Sequence, residues 1–260
     1  MSENIKKTMK AFKVDLDSSE NQNIILKPSA RYFNNQAHQV NEAAKKIDKL
    51  IKNAPYSNDG IVLNHNKIKE AFVSPFKPQL KSAQVFLSHS HADKNKALKV
   101  KNYLESKTNH RVFVDSLFWD YKDDVLNKLA EYDDISRIKD DFTLILRESL
   151  QDMIEKCPYF VFLQSDNSTS LNQDLLGITY SAWIYEELKI AHSIRESRPT
   201  PMRPTPMMES MQVFHDISPF LKHLETITLS ELSRIINPWE QACFLKLIKN
   251  YWARAVWRCI

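Results

Sequence analysis

The apolar positions change their spacing along this chain, and the changes mark out its elements. From Gln36 to Asn53 they fall at Val40, Ala43, Ala44, Ile47, Leu50 and Ile51, the spacing of one helix face, and Pro55 stops that helix. Residues 1 to 35 are polar and mixed, without a clear period. The first 80 residues are therefore expected to be an N-terminal helical extension packed on or beside a main domain. The stretch VSPFKPQLK (73 to 81), broken by Pro75 and Pro78, serves as connector. Beyond it the pattern shortens. Gln84 to Ser88, RVFVD (111 to 115) and YFVFLQS (159 to 165) are short apolar runs of the kind that form buried strands. Between the first two, Ser90 and Asp93 make an S-x-x-D helix start, and Ala97, Val100 and Leu104 form the stripe of the helix that follows. Strand, helix, strand in that space is a crossover unit with parallel strands.

Residues 125 to 156 read mostly as helix, in two segments separated around DDISRIKDD, and residues 179 to 196 as another helix. HLETITL is expected to hold the last strand, and Thr228 with Glu231 a capping box. Asn237-Pro238 opens a final helix with Phe244, Ile248, Tyr251 and Ala255 on one face. Trp239, Trp252 and Trp257 in this tail read as packing residues. The tandem RPTPMRPTPM (198 to 207) holds too many prolines for a helix or a central strand and reads as an extended loop. Strands alternating with helices define an α/β layered sheet.

In such sheets ligands bind outside the carboxyl ends of the strands. Those ends are Ser88-His89-Ser90, Asp115-Ser116 and Gln164-Ser165-Asp166, small polar groups suited to a polar ligand, although strand ends need polar caps in any case. One helical stretch adds a carboxylate. In SAWIYEEL (181 to 188), Trp183 and Glu187 stand at i and i+4 and share a face. Glu186 points about 100° away. By itself this is an ordinary amphipathic helix, with Trp183 in the core and two solvated glutamates.

Composition narrows the chemistry. Only two glycines occur, so neither a Walker loop nor a dinucleotide fingerprint can be written. The net charge of +4 comes from interleaved charges without a basic arm, which gives no support to nucleic-acid binding. Cys157, Cys243 and Cys259 are far apart, which argues against a disulfide framework or a structural zinc site and fits a reducing cytosol. The polar start MSENIKKTMK lacks a signal core, and no apolar run is long enough to span a membrane. A cytoplasmic protein without membrane or nucleic-acid partners is expected.

Three blocks resemble the Toll/interleukin-1 receptor (TIR) domain family, especially its bacterial members. VFLSHSHAD is similar to the first strand and the loop after it. VFVDSLFWDYKDD is similar to the second strand running into the BB loop. CPYFVFLQSDNST followed by SAWIYEELKIA is similar to the third strand and the helix bearing the W-x-x-x-E signature. Together they cover roughly residues 83 to 230. The resemblance implies a flavodoxin-like fold with a parallel five-stranded sheet: a TIR domain over 81–230, the extension over 1–80, and a C-terminal helical segment over 231–260. It also implies cleavage of NAD+ at the nicotinamide–ribose bond by one glutamate, which in the W-x-x-x-E register is Glu187. NAD+ is substrate and no cofactor or metal is implied. Ser88, His89 and Ser90 would edge the nucleotide pocket together with Asp115. Trp119 and Asp120 would lie in the BB loop, shaping the pocket and helping domains assemble, and Trp183 would support the pocket wall. The segment from Ser116 to Cys157 is longer than in compact members, and the proline repeat lies where a fourth strand belongs.

One carboxylate suffices for such a reaction. A glycosidase needs a pair because its leaving oxygen must be protonated. Nicotinamide in NAD+ is already cationic and departs as a neutral base, so the remaining task is to stabilise an oxocarbenium-like ribose. The partners implied are NAD+, other copies through TIR–TIR association, and a downstream effector that senses an ADP-ribose-derived product, as in bacterial antiviral defence. Two other functions compete: a non-catalytic TIR interaction module, and an enzyme like the nucleoside deoxyribosyltransferases, in which a carboxylate attacks the sugar.

Overall fold

The computed structural model describes residues 9–27, 40–54, 56–57, 60–61, 64–74, 81–130, 139–172, 175–196 and 214–237. Five strands form one all-parallel sheet: β1 (Lys10–Asp15), β4 (Ala83–Ser88), β5 (Arg111–Val114), β6 (Tyr159–Gln164) and β10 (Glu225–Thr226). Between β1 and β4 lie α1 (Ser19–Ile25), α2 (Val40–Lys52), a two-residue ribbon β2 (Tyr56–Ser57) and β3 (Gly60–Ile61), and α3 (His65–Val73). A 3-10 turn (His91–Asp93) and α4 (Lys94–Thr108) join β4 to β5, and α5 (Ser116–Ala130) and α6 (Lys139–Lys156) lead to β6. A small antiparallel sheet of β7 (Ser170–Asn172), β8 (Leu175–Thr179) and β9 (His215–Asp216) follows, with α7 (Ala182–Glu196) between its last two strands. Then come α8 (Ser218–Leu221), β10 and α9 (Leu229–Ile236).

Across the main sheet the order is β10-β1-β6-β4-β5. Counted from β4, this is the flavodoxin-like arrangement 2-1-3-4-5, with β5, β4 and β6 in the first three places and β10 in the fifth. The three strands expected at 84–88, 111–115 and 159–164 are adjacent and parallel. The fourth place is taken by β1 from the N-terminal region. It pairs with β6 over its whole length, from Lys10↔Tyr159 to Asp15↔Gln164. The local cause is alternation in KAFKVDL: Phe12, Val14 and Leu16 are buried, while Lys13 and Asp15 are not.

Side-chain alternation splits the core into two layers. Phe86, Phe113, Phe160 and Phe162 project to one face, where Ile47, Phe72, Leu150, Ile184 and Leu188 from α2, α3, α6 and α7 cover them. Phe86 stacks on Phe113 and Phe160 at 5.7 and 5.8 Å between centroids. Val85, Leu87, Val112, Val161 and Leu163 project to the other face, under α1, α4 and α9. The expected packing of the α2 stripe holds for Ile47, which is fully buried, and for Ile51 at its edge. The side chain of Val40 lies outside the described residues.

The Thr228–Glu231 capping box forms in both directions at the start of α9. The S-x-x-D start does not. Ser90 makes no side-chain cap, and Asp93 is turned inward instead. The proline repeat and the C-terminal stretch expected as a helix, with Trp239, Trp252 and Trp257, lie outside the described residues. No described helix is long and apolar enough to cross a membrane.

Candidate functional site

The sheet reverses its order between β4 and β6, since the chain leaves β4 for β5 on one side and returns to β6 on the other. That reversal makes a crevice at the carboxyl ends. The buried polar side chains gather there: Ser88, His89, Asp93, Asp115, Ser116, Ser165, Ser168 and Thr169. Two hydrogen-bonded groups of them hold the crevice in shape.

Asp115 organises the first. Its carboxylate accepts the Ser116 N–H at 2.7 Å and, more loosely, the His89 N–H at 3.4 Å, and it lies against His89 Nδ1. It therefore ties the end of β4 to the end of β5 and to the first turn of α5. His89 is held by this contact with its other ring nitrogen, Nε2, buried and without a hydrogen-bond partner among the described residues. Ser88 Oγ and Ser116 Oγ are in the same condition. Buried polar atoms normally find partners, so three such atoms at one crevice mark a place for ligand or water.

Asp93 organises the second. It accepts the Ser165 hydroxyl and the Asn167 side-chain amide at 3.0 Å, and Lys96 stands 3.4 Å away. Lys96 also reaches Asp17 at 3.0 Å, and Asp17 accepts the Asp166 N–H at 3.1 Å. Burial acts to raise the Asp17 carboxyl, but Lys96 and the Asp166 N–H outweigh it and hold the group below the ordinary range. Asp17 with burial opposing pushes the Lys96 ammonium above its ordinary value. The ends of β1, β4 and β6 are thus pinned to one another.

Of the sequence-derived candidates, the structure brings Ser88, His89 and Asp115 together, with Ser90 half-buried beside them. Trp119 and Asp120 lie in α5, in helical backbone rather than in a loop; Asp115 at its head supplies the acceptor that starts the helix early. The side chains of both lie outside the described residues. On α7, Glu187 is fully buried and Trp183 half-buried. Glu186 is not a solvated neighbour. It is largely buried and accepts Arg147 Nε of α6 at 2.9 Å, with Lys189 at 3.5 Å, so it joins two helices.

Phe86 and Ser88, two apart on β4, project to the same face, and that face is covered in part by Ile184 and Leu188 on either side of Glu187. Ser88 and the Glu187 helix therefore share one side of the sheet. Two concavities lie elsewhere. One of about 500 Å³ separates α2 from α3. One of about 590 Å³ lies at the amino-terminal ends of β1 and β10. Neither is lined by Glu187, which is fully buried among the described residues.

Ser165 was expected as a polar strand end, whereas Asn167, Lys96 and Asp17 escaped the sequence reading and Asp93 was read only as part of a helix start. Asp93 was hidden by its fit to a capping motif, and Asp17 becomes visible only once β1 is placed beside β6. Compared with protein-family models, curated proteins and solved structures, the chain matches none of them.

Proposed function

We propose that this chain is a TIR-like NAD+ nucleosidase whose catalytic residue is Glu187. The observation that carries this reading is the burial of Glu187, which stands in the W-x-x-x-E register on α7 and is fully buried on the sheet side. Carboxylates are rarely buried without a task.

In the reaction the bond between the nicotinamide nitrogen and ribose C1′ breaks, and both electrons leave with the neutral base. The positive charge left on the ribose is stabilised by the Glu187 carboxylate. Water, or a nucleophile of the substrate itself, then bonds to C1′ and gives ADP-ribose or a cyclised product. Ser88 Oγ, His89 Nε2 and Ser116 Oγ bind polar groups of the nucleotide, with His89 oriented by Asp115. Because Glu187 is sealed from solvent, substrate reaches it after an opening of α7 against the sheet, driven by self-association or by a trigger. The described state is on this reading the resting one.

The same seal favours a second reading, a non-catalytic interaction module. Incubating the protein with NAD+ at high concentration and in activating lysate, then resolving the products by chromatography and mass, separates the two. Glu187→Gln is expected to reduce cleavage by at least about 10²-fold with the fold intact, and Glu186→Gln to retain most activity. Equal cleavage by both variants and the parent would remove Glu187 from the role, and a parent inert under every condition leaves the interaction module.

A further inference from the structure

The concavity at the amino-terminal ends of β1 and β10 holds a side-chain cluster that the NAD+ reaction does not use. We propose that His192, Glu196 and His223 bind one first-row divalent transition-metal ion, with Zn²⁺ as the type. His192 and Glu196 are one turn apart on α7, with Nε2 and Oε1 3.2 Å apart. His223 comes from the turn after α8 and lays its ring beside that of His192, with centroids 4.8 Å apart. One ligand atom from each of the three lies within 4.8 Å of the others. Metal bonds of about 2.0–2.2 Å require ligand atoms roughly 3–3.5 Å apart. The set therefore closes with a shift of about 1 Å in side chains that lie at the surface.

The donors select the metal. Two imidazoles and one carboxylate suit Zn²⁺ and its neighbours, whereas Ca²⁺ and Mg²⁺ prefer oxygen alone. The surroundings are built as well. The His192 ring packs on Phe220 at 5.6 Å. His223 is fixed through its backbone on both sides: its N–H donates to the Phe220 carbonyl at 3.1 Å, and its own carbonyl accepts the Arg195 guanidinium. Such supports hold a ligand in place before the metal arrives. All three residues line the concavity of about 590 Å³, together with Lys10, Arg195 and Glu225. Three protein ligands facing a cavity leave at least one coordination position for water or a small anion, unlike a closed structural site.

The bound ion would clamp the carboxyl end of α7 to the segment entering β10. The sequence hides the site, because the RPTPM repeat separates Glu196 from His223. An ordinary i,i+4 ion pair beside stacked rings would show the same distances without metal affinity.

The test uses the untagged full chain, stripped with a chelator and titrated with Co²⁺ by visible absorption and with Zn²⁺ by thermal shift. One Co²⁺ per chain is expected, with ligand-field bands, no thiolate charge-transfer band, and displacement by Zn²⁺. His192→Ala and His223→Ala should each weaken binding by at least about 10–100-fold. His215→Ala, whose ring stacks on Tyr185 outside the set, should bind as the parent does. Circular dichroism of the metal-free variants checks their folding, and His223→Ala, in an exposed turn, decides if His192→Ala misfolds. Parent-like affinity in folded His223→Ala, a thiolate band, or no saturable uptake at millimolar Co²⁺ would overturn the proposal.

Discussion

Asp93 shows how much one buried carboxylate can hold. It is 1% exposed and receives the Ser165 hydroxyl, the Asn167 amide and the charge of Lys96. Asp93→Ala would strand all of these donors at the junction of β4 and β6. Leaving buried donors unpaired, with the charge partner gone, costs about 2–4 kcal/mol, and urea unfolding should show that loss. Lys96→Met should cost far less, because the Lys96 side chain is 34% exposed and solvent screens its pairs. A loss below about 1 kcal/mol for Asp93→Ala would mean that water replaces the carboxylate and that the network is not structural. Cys157 illustrates the opposite case, a reactive group made inert. Burial, against a small opposing effect of Lys156, pushes its thiol up to about 12, so it stays protonated and is no candidate for thiolate chemistry. Legibility also differs by residue. Glu187 stood out because its motif is local in sequence. The contacts of Asp93 with Ser165 and Asn167 join residues more than 70 positions apart, and no local pattern reports them.

At the scale of elements, the charged seam between α3 and α6 gives the fold a dependence on pH. His65 and Lys69 meet Glu148 at 3.0 and 3.2 Å, and Lys69 meets Asp152 at 2.9 Å. Burial acts to raise the Glu148 carboxyl, but hydrogen bonds from His65 and Lys69 outweigh it and hold the group below its ordinary 4.5. Burial acts to lower the Lys69 ammonium, but Asp152 and Glu148 outweigh it and hold that group above its ordinary 10.5. A depressed carboxylate stabilises fully above its unfolded value and loses this as pH falls through the folded one; a raised ammonium stabilises fully below its unfolded value and loses this as pH rises through the folded one. Amide protection of α3, measured relative to the sheet, should therefore be flat between about pH 5 and 10 and fall on both sides. Lys69→Met should remove the alkaline fall, and raised salt should shrink both, because the groups are partly exposed. Protection that does not change with pH would assign α3 wholly to Phe72 and its apolar contacts. The sequence disclosed the long elements and missed α3, which is short and carries only three buried residues, Ile68, Ala71 and Phe72. The strands β4, β5 and β6 were plain because strands buried on both faces have unbroken apolar runs.

For the whole molecule the decisive feature is where the fourth strand comes from. The strands β4, β5 and β6 and the helix α7 follow one another in chain order, and the motif blocks that carry the proposed function begin only near residue 83. Yet the sheet is not complete there. β1 stands between β6 and β10, pairing with both, so its removal would expose the full edge of β6 and leave the two-residue β10 without a neighbour. It would also take Phe12, Val14 and Leu16 out of one core layer and Met9 and Ala11 out of the other. Each large side chain contributes about 1.5–3 kcal/mol on burial, so the three large ones alone approach the 5–15 kcal/mol by which a typical domain is stable. Lys96 would lose Asp17, and the Asp166 N–H its acceptor, at the rim of the crevice. The alternation in KAFKVDL went unread, because six residues preceded by polar sequence have too little pattern to announce a strand whose partners lie some 150 to 210 positions away. A fragment beginning at Lys81, which keeps all three motif blocks, is therefore expected not to unfold cooperatively and to aggregate through the β6 edge. A synthetic peptide of residues 9–27 added during refolding should recover soluble, cooperatively melting protein. If the fragment alone melts in one sharp transition at the temperature of the full chain, β1 is an accessory and the motif-bearing region folds by itself.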